Sequence, residues 1–228
     1  MDDGFVPETQ ARSYGFHSAP SAADDTAYLP ADDDVLRVLN GWSQTGKGAE
    51  TVSKEEKIFN KIPIAEYGCS GEAQKKLSRG ASRPVAGQSP GGEADALNYV
   101  LTLRKQAGNQ VRSDPRFKSI TARWASCYVK ATGTYVSSPL LLARDPRWTS
   151  RNRATTAEVR AAVSSNRCQL RINYLGVTDS LTAAYEQRLA DSHSSQLRAI
   201  SAFLRARLRN ATVAIEQERT IPTPTHNG

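Results

Sequence analysis

The sequence predicts an all-α protein, a bundle of four or five helices organised on a long C-terminal helix and preceded by a disordered leader. Apolar residues recur at three- and four-residue steps through most of the chain after Cys69, which is the spacing of one helical face. Alternation at period two appears only around Tyr135-Val136, enough for a minor strand at most. Helix start and stop signals bracket the apolar runs, and no internal repeat is apparent. A chain of 228 residues can bury a core without metals or disulfides, so stability does not by itself explain three cysteines.

Residues 1–30 are rich in Ser, Ala, Pro and Asp and read as a flexible acidic leader, with Tyr14-Gly15-Phe16 the part expected to dock. A single helical domain is expected over 31–218 and a disordered tail over 219–228. Asp32, Asp33 and Asp34 precede Val35, Leu36, Val38 and Leu39, with Asn40-Gly41 as a stop, which gives a short helix at 32–40. Residues 41–56 read as a loop, and Ile58 to Ile64 is too short and proline-broken to assign. Ala73 and Leu77 suit a helix near 70–79, and Leu97, Val100, Leu101, Leu103, Ala107 and Val111 a second. Asp114-Pro115 reads as an N-cap followed by proline at the first helical position, and Ile120, Trp124, Cys127 and Ala131 carry that helix to Gly133. Trp124 and Cys127 share a face. Thr155-Thr156-Ala157-Glu158 matches a capping box, with the threonine bonding forward and the glutamate reaching back to the cap, and opens a helix across 156–173. From Gly176 and Asp179 onward, Leu181, Tyr185, Leu189, Leu197, Ile200, Leu204, Leu208, Ala211 and Ile215 predict the long helix. It either runs straight or breaks near Ser192-His193-Ser194, and Pro222 ends it.

The net charge of +7 hides an asymmetry, because residues 1–34 carry eight acids against Arg12 alone, leaving a basic body. Arg144, Arg147, Arg151, Arg153, Arg160, Arg167 and Arg171 supply much of that excess and are the candidate polyanion-binding residues. The alternative reading of the same arginines is a set of solvated helix faces.

Catalytic vocabulary is thin. Gly41-Trp42-Ser43-Gln44-Thr45-Gly46-Lys47-Gly48 approximates a phosphate-binding loop, but Gly48 stands where the magnesium-binding hydroxyl belongs and a helix precedes it where a strand is needed. His17, His193 and His226 have no ligand spacing, and Cys-x-x-Cys is absent, so no metal site and no cofactor are expected. Glu72, Glu93, Asp95, Glu158, Asp179, Glu186 and Asp191 offer carboxylates for a wall hydrolase, but aromatic residues make up only 7% and do not cluster with them. No catalytic residue is assigned. No segment has the apolar length of a membrane span, and the N-terminal residues are neither basic nor apolar enough for a signal peptide. The chain is therefore read as cytosolic or as one whose export signal is not present in this sequence.

Tyr14-Gly15-Phe16, Gly68-Cys69-Ser70-Gly71-Glu72-Ala73, Asp114-Pro115-Arg116, Trp124-x-x-Cys127, Gly133, Cys168 and the helix bearing Tyr185 and Leu189 together resemble a family of uncharacterised, exported and often lipoprotein-like proteins of actinobacteria. Tyr128 and Ser165 depart from the residues common in that family, and its lipid-modified cysteine is missing here. The resemblance covers about 14–215 and implies an extracellular or cell-envelope location. It thereby makes the cysteines disulfide candidates. Cys69–Cys127 is the pairing favoured, with Cys168 left as a buried thiol; Cys168 is the alternative partner, and three reduced thiols the remaining possibility. The implied function is a non-enzymatic binding or assembly component whose partner is an envelope protein or an anionic wall polymer, with helix-mediated self-association possible. Polyanion or nucleic-acid binding through Arg144 to Arg171 is the alternative, and a wall hydrolase the third.

Overall fold

In the computed structural model, residues 4–18, 33–41 and 57–219 are described. Helices dominate as expected, and among these residues the strands are two dipeptides, β1 (Ile58–Phe59) and β2 (Ile62–Pro63). They pair antiparallel through a two-residue turn, Asn60-Lys61, with both residues at positive φ (49° and 66°) as a tight hairpin of this hand requires. The brief alternation at Tyr135-Val136 forms no strand. Of the tail expected over 219–228, residues 220–228 lie outside the described residues, as does most of the loop expected over 41–56.

Where a single domain was expected over 31–218, the chain divides into two compact units, Met1–Ala27 with Leu103–Asp191, and Tyr28–Thr102 with Ser192–Gly228. The first holds α1 (Glu8–Tyr14), α5 (Pro115–Thr132), α6 (Pro139–Ala143), α7 (Pro146–Thr149), α8 (Thr156–Arg171), α9 (Tyr174–Ser192) up to Asp191, and the end of α4 (Glu93–Ser113). The second holds α2 (Asp33–Asn40), the hairpin, α3 (Gly68–Leu77), the start of α4 and α10 (Ser194–Arg219).

In the first unit Trp124 and Tyr128, one turn apart on α5, stack at 5.1 Å and pack with Ile120, Leu142, Trp148 and Tyr174. Asp114 caps α5 by accepting the Arg116 backbone N–H at 2.7 Å, and Gly133 closes the helix in the left-handed region. Cys127 faces Cys168 across α5 and α8 at a Cα separation of 5.8 Å, and the two form the disulfide. The expected Cys69–Cys127 bridge is therefore corrected. Cys168 is not a spare thiol, and Cys69, in the other unit, is free and exposed. The core face that holds Trp124 also holds Cys127, and Cys168 occupies the matching face of α8.

Tyr14-Gly15-Phe16 docks as expected, and the leader expectation needs correction for the residues before it, from Gly4 on. Residues 8–14 form α1, Ala11 is fully buried, and Phe16 stacks on Trp148 at 5.9 Å. The polar, buried side of α8 explains why so polar a segment is held. Asn166 Nδ2 donates to the Val6 carbonyl at 2.5 Å, and Glu158 Oε1 accepts the Phe16 backbone N–H at 2.9 Å. Gly15 is required here, since its φ is +61° and a Cβ would lie 2.6 Å from Glu158 Oε1.

In the second unit Ala96, Ile200 and Phe203 join α4 to α10. The buried Arg207 of α10 ties down α3 by donating to Ser78 Oγ and Gln74 Oε1, both at 2.5 Å, and pairs with Glu93 at the start of α4. The long C-terminal helix is interrupted at His193, and Tyr99 meets the His193 ring at 2.8 Å. At its other end α9 begins at Tyr174 rather than Gly176, because Asn173 (φ 54°) takes the left-handed turn that separates it from α8.

Candidate anion-binding groove

Residues spaced i, i+4 and i+7 on a helix share a face, and on α8 that series is Arg160, Ser164 and Arg167. Arg160 and Arg167 are thus about 10 Å apart along the axis. With Arg12 of α1, Arg147 of α7 and Tyr128 and Thr132 of α5, they line an open groove of about 740 Å³ in the first unit. Among the described residues no acidic side chain is in its lining, while Glu8 and Asp145, outside the lining, pair with Arg12, Arg167 and Arg147.

Each arginine is presented differently. Asp145 caps α7, with Pro146 at the first helical position, and its carboxylate accepts the Arg147 backbone N–H at 2.9 Å and the guanidinium through Nε at 3.0 Å and Nη2 at 2.7 Å. The same Asp-Pro-Arg device occurs at Asp114-Pro115-Arg116, with side-chain contacts of 3.1 and 2.8 Å. In both, the guanidinium's hydrogen bond to the carboxylate is the main reason the aspartate is held below the ordinary carboxylate range and the arginine above its own. Arg147 also lies 4.6 Å from the Trp148 ring centroid, and the indole N–H donates to the Leu142 carbonyl at 2.7 Å, so the platform under the cation is fixed. Arg12 and Arg167 share one carboxylate oxygen, Glu8 Oε1, at 2.5 and 3.7 Å. Arg160 is exposed and no carboxylate among the described residues pairs with it. Burial raises the Tyr128 phenol, so the groove floor is neutral.

The structure brings together three of the seven arginines picked out in the sequence, Arg147, Arg160 and Arg167. Arg171, on the same α8 series, instead donates to Cys127 Sγ at 2.7 Å. Arg151 bonds the Arg147 carbonyl at 3.3 Å, and Arg144, Arg151 and Arg153 are exposed but outside the groove lining. Arg12 was missed because it sits in the segment read as leader. Asp145-Pro146-Arg147 is not among the caps expected from sequence, although the same tripeptide at Asp114 is, and that is the signal from which Arg147's anchoring could have been found.

The candidate carboxylates do not converge on the groove. Glu72 pairs with Lys75 at 2.9 Å, Asp95 accepts from Ser89, Glu186 lies 3.4 Å from Arg104, and Asp191 accepts from Gln187. Glu158 is fully buried with His17 Nε2 at 3.5 Å from its Oε2, facing α1 and away from solvent. Thr155 does cap α8 through the Glu158 N–H at 3.2 Å, but the glutamate's return bond to the cap is replaced by its bond to Phe16. Among the described residues no three of His, Cys, Asp or Glu come together as a metal site, and no helix is long and apolar enough to cross a membrane. Compared with protein-family models, curated proteins and solved structures, the chain matches none.

Proposed function

We propose that this protein is a non-enzymatic binding component of the cell envelope whose arginine groove holds a linear, multiply charged anion, best matched by a phosphate polymer of the wall. The observation that carries the reading is the convergence of Arg12, Arg147, Arg160 and Arg167 on one open groove whose lining, among the described residues, holds no acidic side chain. An open groove suits a chain that passes through, and two guanidiniums about 10 Å apart on α8 suit repeated charges along it. The Cys127–Cys168 disulfide is compatible with an oxidising compartment, which supports the envelope part of the proposal. Nucleic acid is the weaker alternative for this groove because its aromatics, Tyr128 and Trp148, are buried and offer no face on which a base can stack.

The test is direct binding of end-labelled poly(glycerol phosphate), with single-stranded DNA of equal charge as comparison. Arg160→Ala and Arg167→Ala are each expected to weaken polymer binding about fivefold, the effect of losing one exposed charged contact of about 1 kcal/mol. Arg153→Ala, outside the groove, leaves it unchanged. Equal loss from Arg153→Ala, tighter binding of DNA, or cleavage of the polymer by the protein would each overturn the reading.

A further inference from the structure

The second unit contains a cavity unrelated to the arginine groove. On α3, Cys69, Ala73, Lys76 and Leu77 fall at i, i+4, i+7 and i+8 and turn one face toward the hairpin and the end of α2. Val38, Phe59, Ile62, Ile64, Ala73 and Leu77 line an open cleft of about 680 Å³, a volume inside the range of small-molecule sites, which is about 300–1,000 Å³. Small side chains leave this space open: Ala73 lies on α3 and Ala214 on α10.

The walls are set by backbone contact. Gly41 at the end of α2 and Gly68 at the start of α3 touch so closely that a Cβ on Gly41 would lie 2.1 Å from the Glu66 carbonyl oxygen and 2.3 Å from the Gly68 nitrogen. The ends of α2 and α3 are thus already in backbone contact.

Charge at the rim specifies the occupant. Glu72 and Lys76 both line the cavity; the Glu72 carboxylate is tied to Lys75 at 2.9 Å, whereas no carboxylate among the described residues pairs with Lys76. An apolar concavity with one exposed ammonium at its edge that no carboxylate among the described residues pairs with complements a molecule with an alkyl body and one anionic head. We infer that this cavity is a binding site for a long-chain carboxylate, its alkyl chain against Ile64, Phe59 and Leu77 and its head on Lys76. The inference does not rest on the arginine groove, and either can fail alone.

Cys69 lies in the wall and is exposed, so it reports occupancy. The experiment follows the rate at which Cys69 of the full chain reacts with an aromatic disulfide reagent as monomeric dodecanoate is titrated. The rate is expected to fall at least tenfold and to saturate. Lys76→Met should raise the half-saturating dodecanoate concentration about tenfold, and Ala73→Trp, which fills the cavity at an exposed position, should abolish protection with the helical circular dichroism unchanged. A rate indifferent to dodecanoate, protection retained by Ala73→Trp, equal protection by dodecanol, or equal protection by neutral phosphatidylcholine vesicles would overturn it. The last of these would indicate a membrane surface in place of a free carboxylate.

Discussion

The residue that says most about how this chain is stabilised is Asp114. It caps α5, takes both arms of Arg116 and accepts the Tyr185 hydroxyl at 3.0 Å, which holds its carboxyl well below the usual carboxylate range. A carboxylate whose folded value is depressed stabilises the fold fully above its unfolded value, about 3.9, and that contribution is lost as pH falls toward the folded value. Asp114→Asn is accordingly expected to melt several degrees below wild type at neutral pH, with the gap narrowing once the pH drops below about 4. A gap independent of pH from 7 to 2 would show that the ion pair is not its source. Asp114-Pro115 was readable as a cap from its tripeptide alone, and Asp145-Pro146-Arg147 carried the same information. Glu158 shows the limit of local reading. Its position in a capping box predicts a bond within α8, yet its carboxylate is taken by the Phe16 amide, 142 residues away in sequence. No window of sequence contains that competition.

Among the elements, helix existence and the approximate bounds of α2, α3, α4, α5 and α8 follow from periodicity and caps, because those signals act within one or two turns. Pairing between helices does not follow from them. The disulfide joins α5 to α8 because both cysteines sit on core faces, and the sequence contexts of the three cysteines leave that choice open. Replacing Cys127 and Cys168 together with alanine should cost about 4 kcal/mol of unfolding free energy by the chain-entropy estimate for a separation of 41 residues. Cys69→Ser should cost less than 0.5 kcal/mol, as for an exposed site. Denaturant midpoints check both, and the opposite ranking would mean the bridge is elsewhere. The seating of α1 has its own test. Gly15→Ala forces a left-handed residue to carry a Cβ into Glu158, so it should cost about 1–3 kcal/mol and raise hydrogen exchange of the Ala11 and Phe16 amides. Unchanged exchange at those amides would contradict the packing described for residues 4–18.

At the scale of the whole molecule, the charge asymmetry read from composition is only partly the asymmetry that matters. The basic body was visible, but three of its seven highlighted arginines reach the groove, and a fourth cation comes from Arg12 in the segment counted as acidic leader. Which arginines converge depends on helix faces and on the docking of α1, and neither is encoded in a count. The central claim is that these four guanidiniums act together on one linear anion, and it is tested most directly by salt dependence. The affinity for poly(glycerol phosphate) should fall linearly on a log–log plot against salt, with a slope reduced by about 1.4 in the Arg160→Ala, Arg167→Ala double variant, the loss of two single-strand-type ionic contacts at about 0.7 each. A double variant whose slope equals that of wild type would contradict the account, because the polymer would then be held somewhere other than this groove.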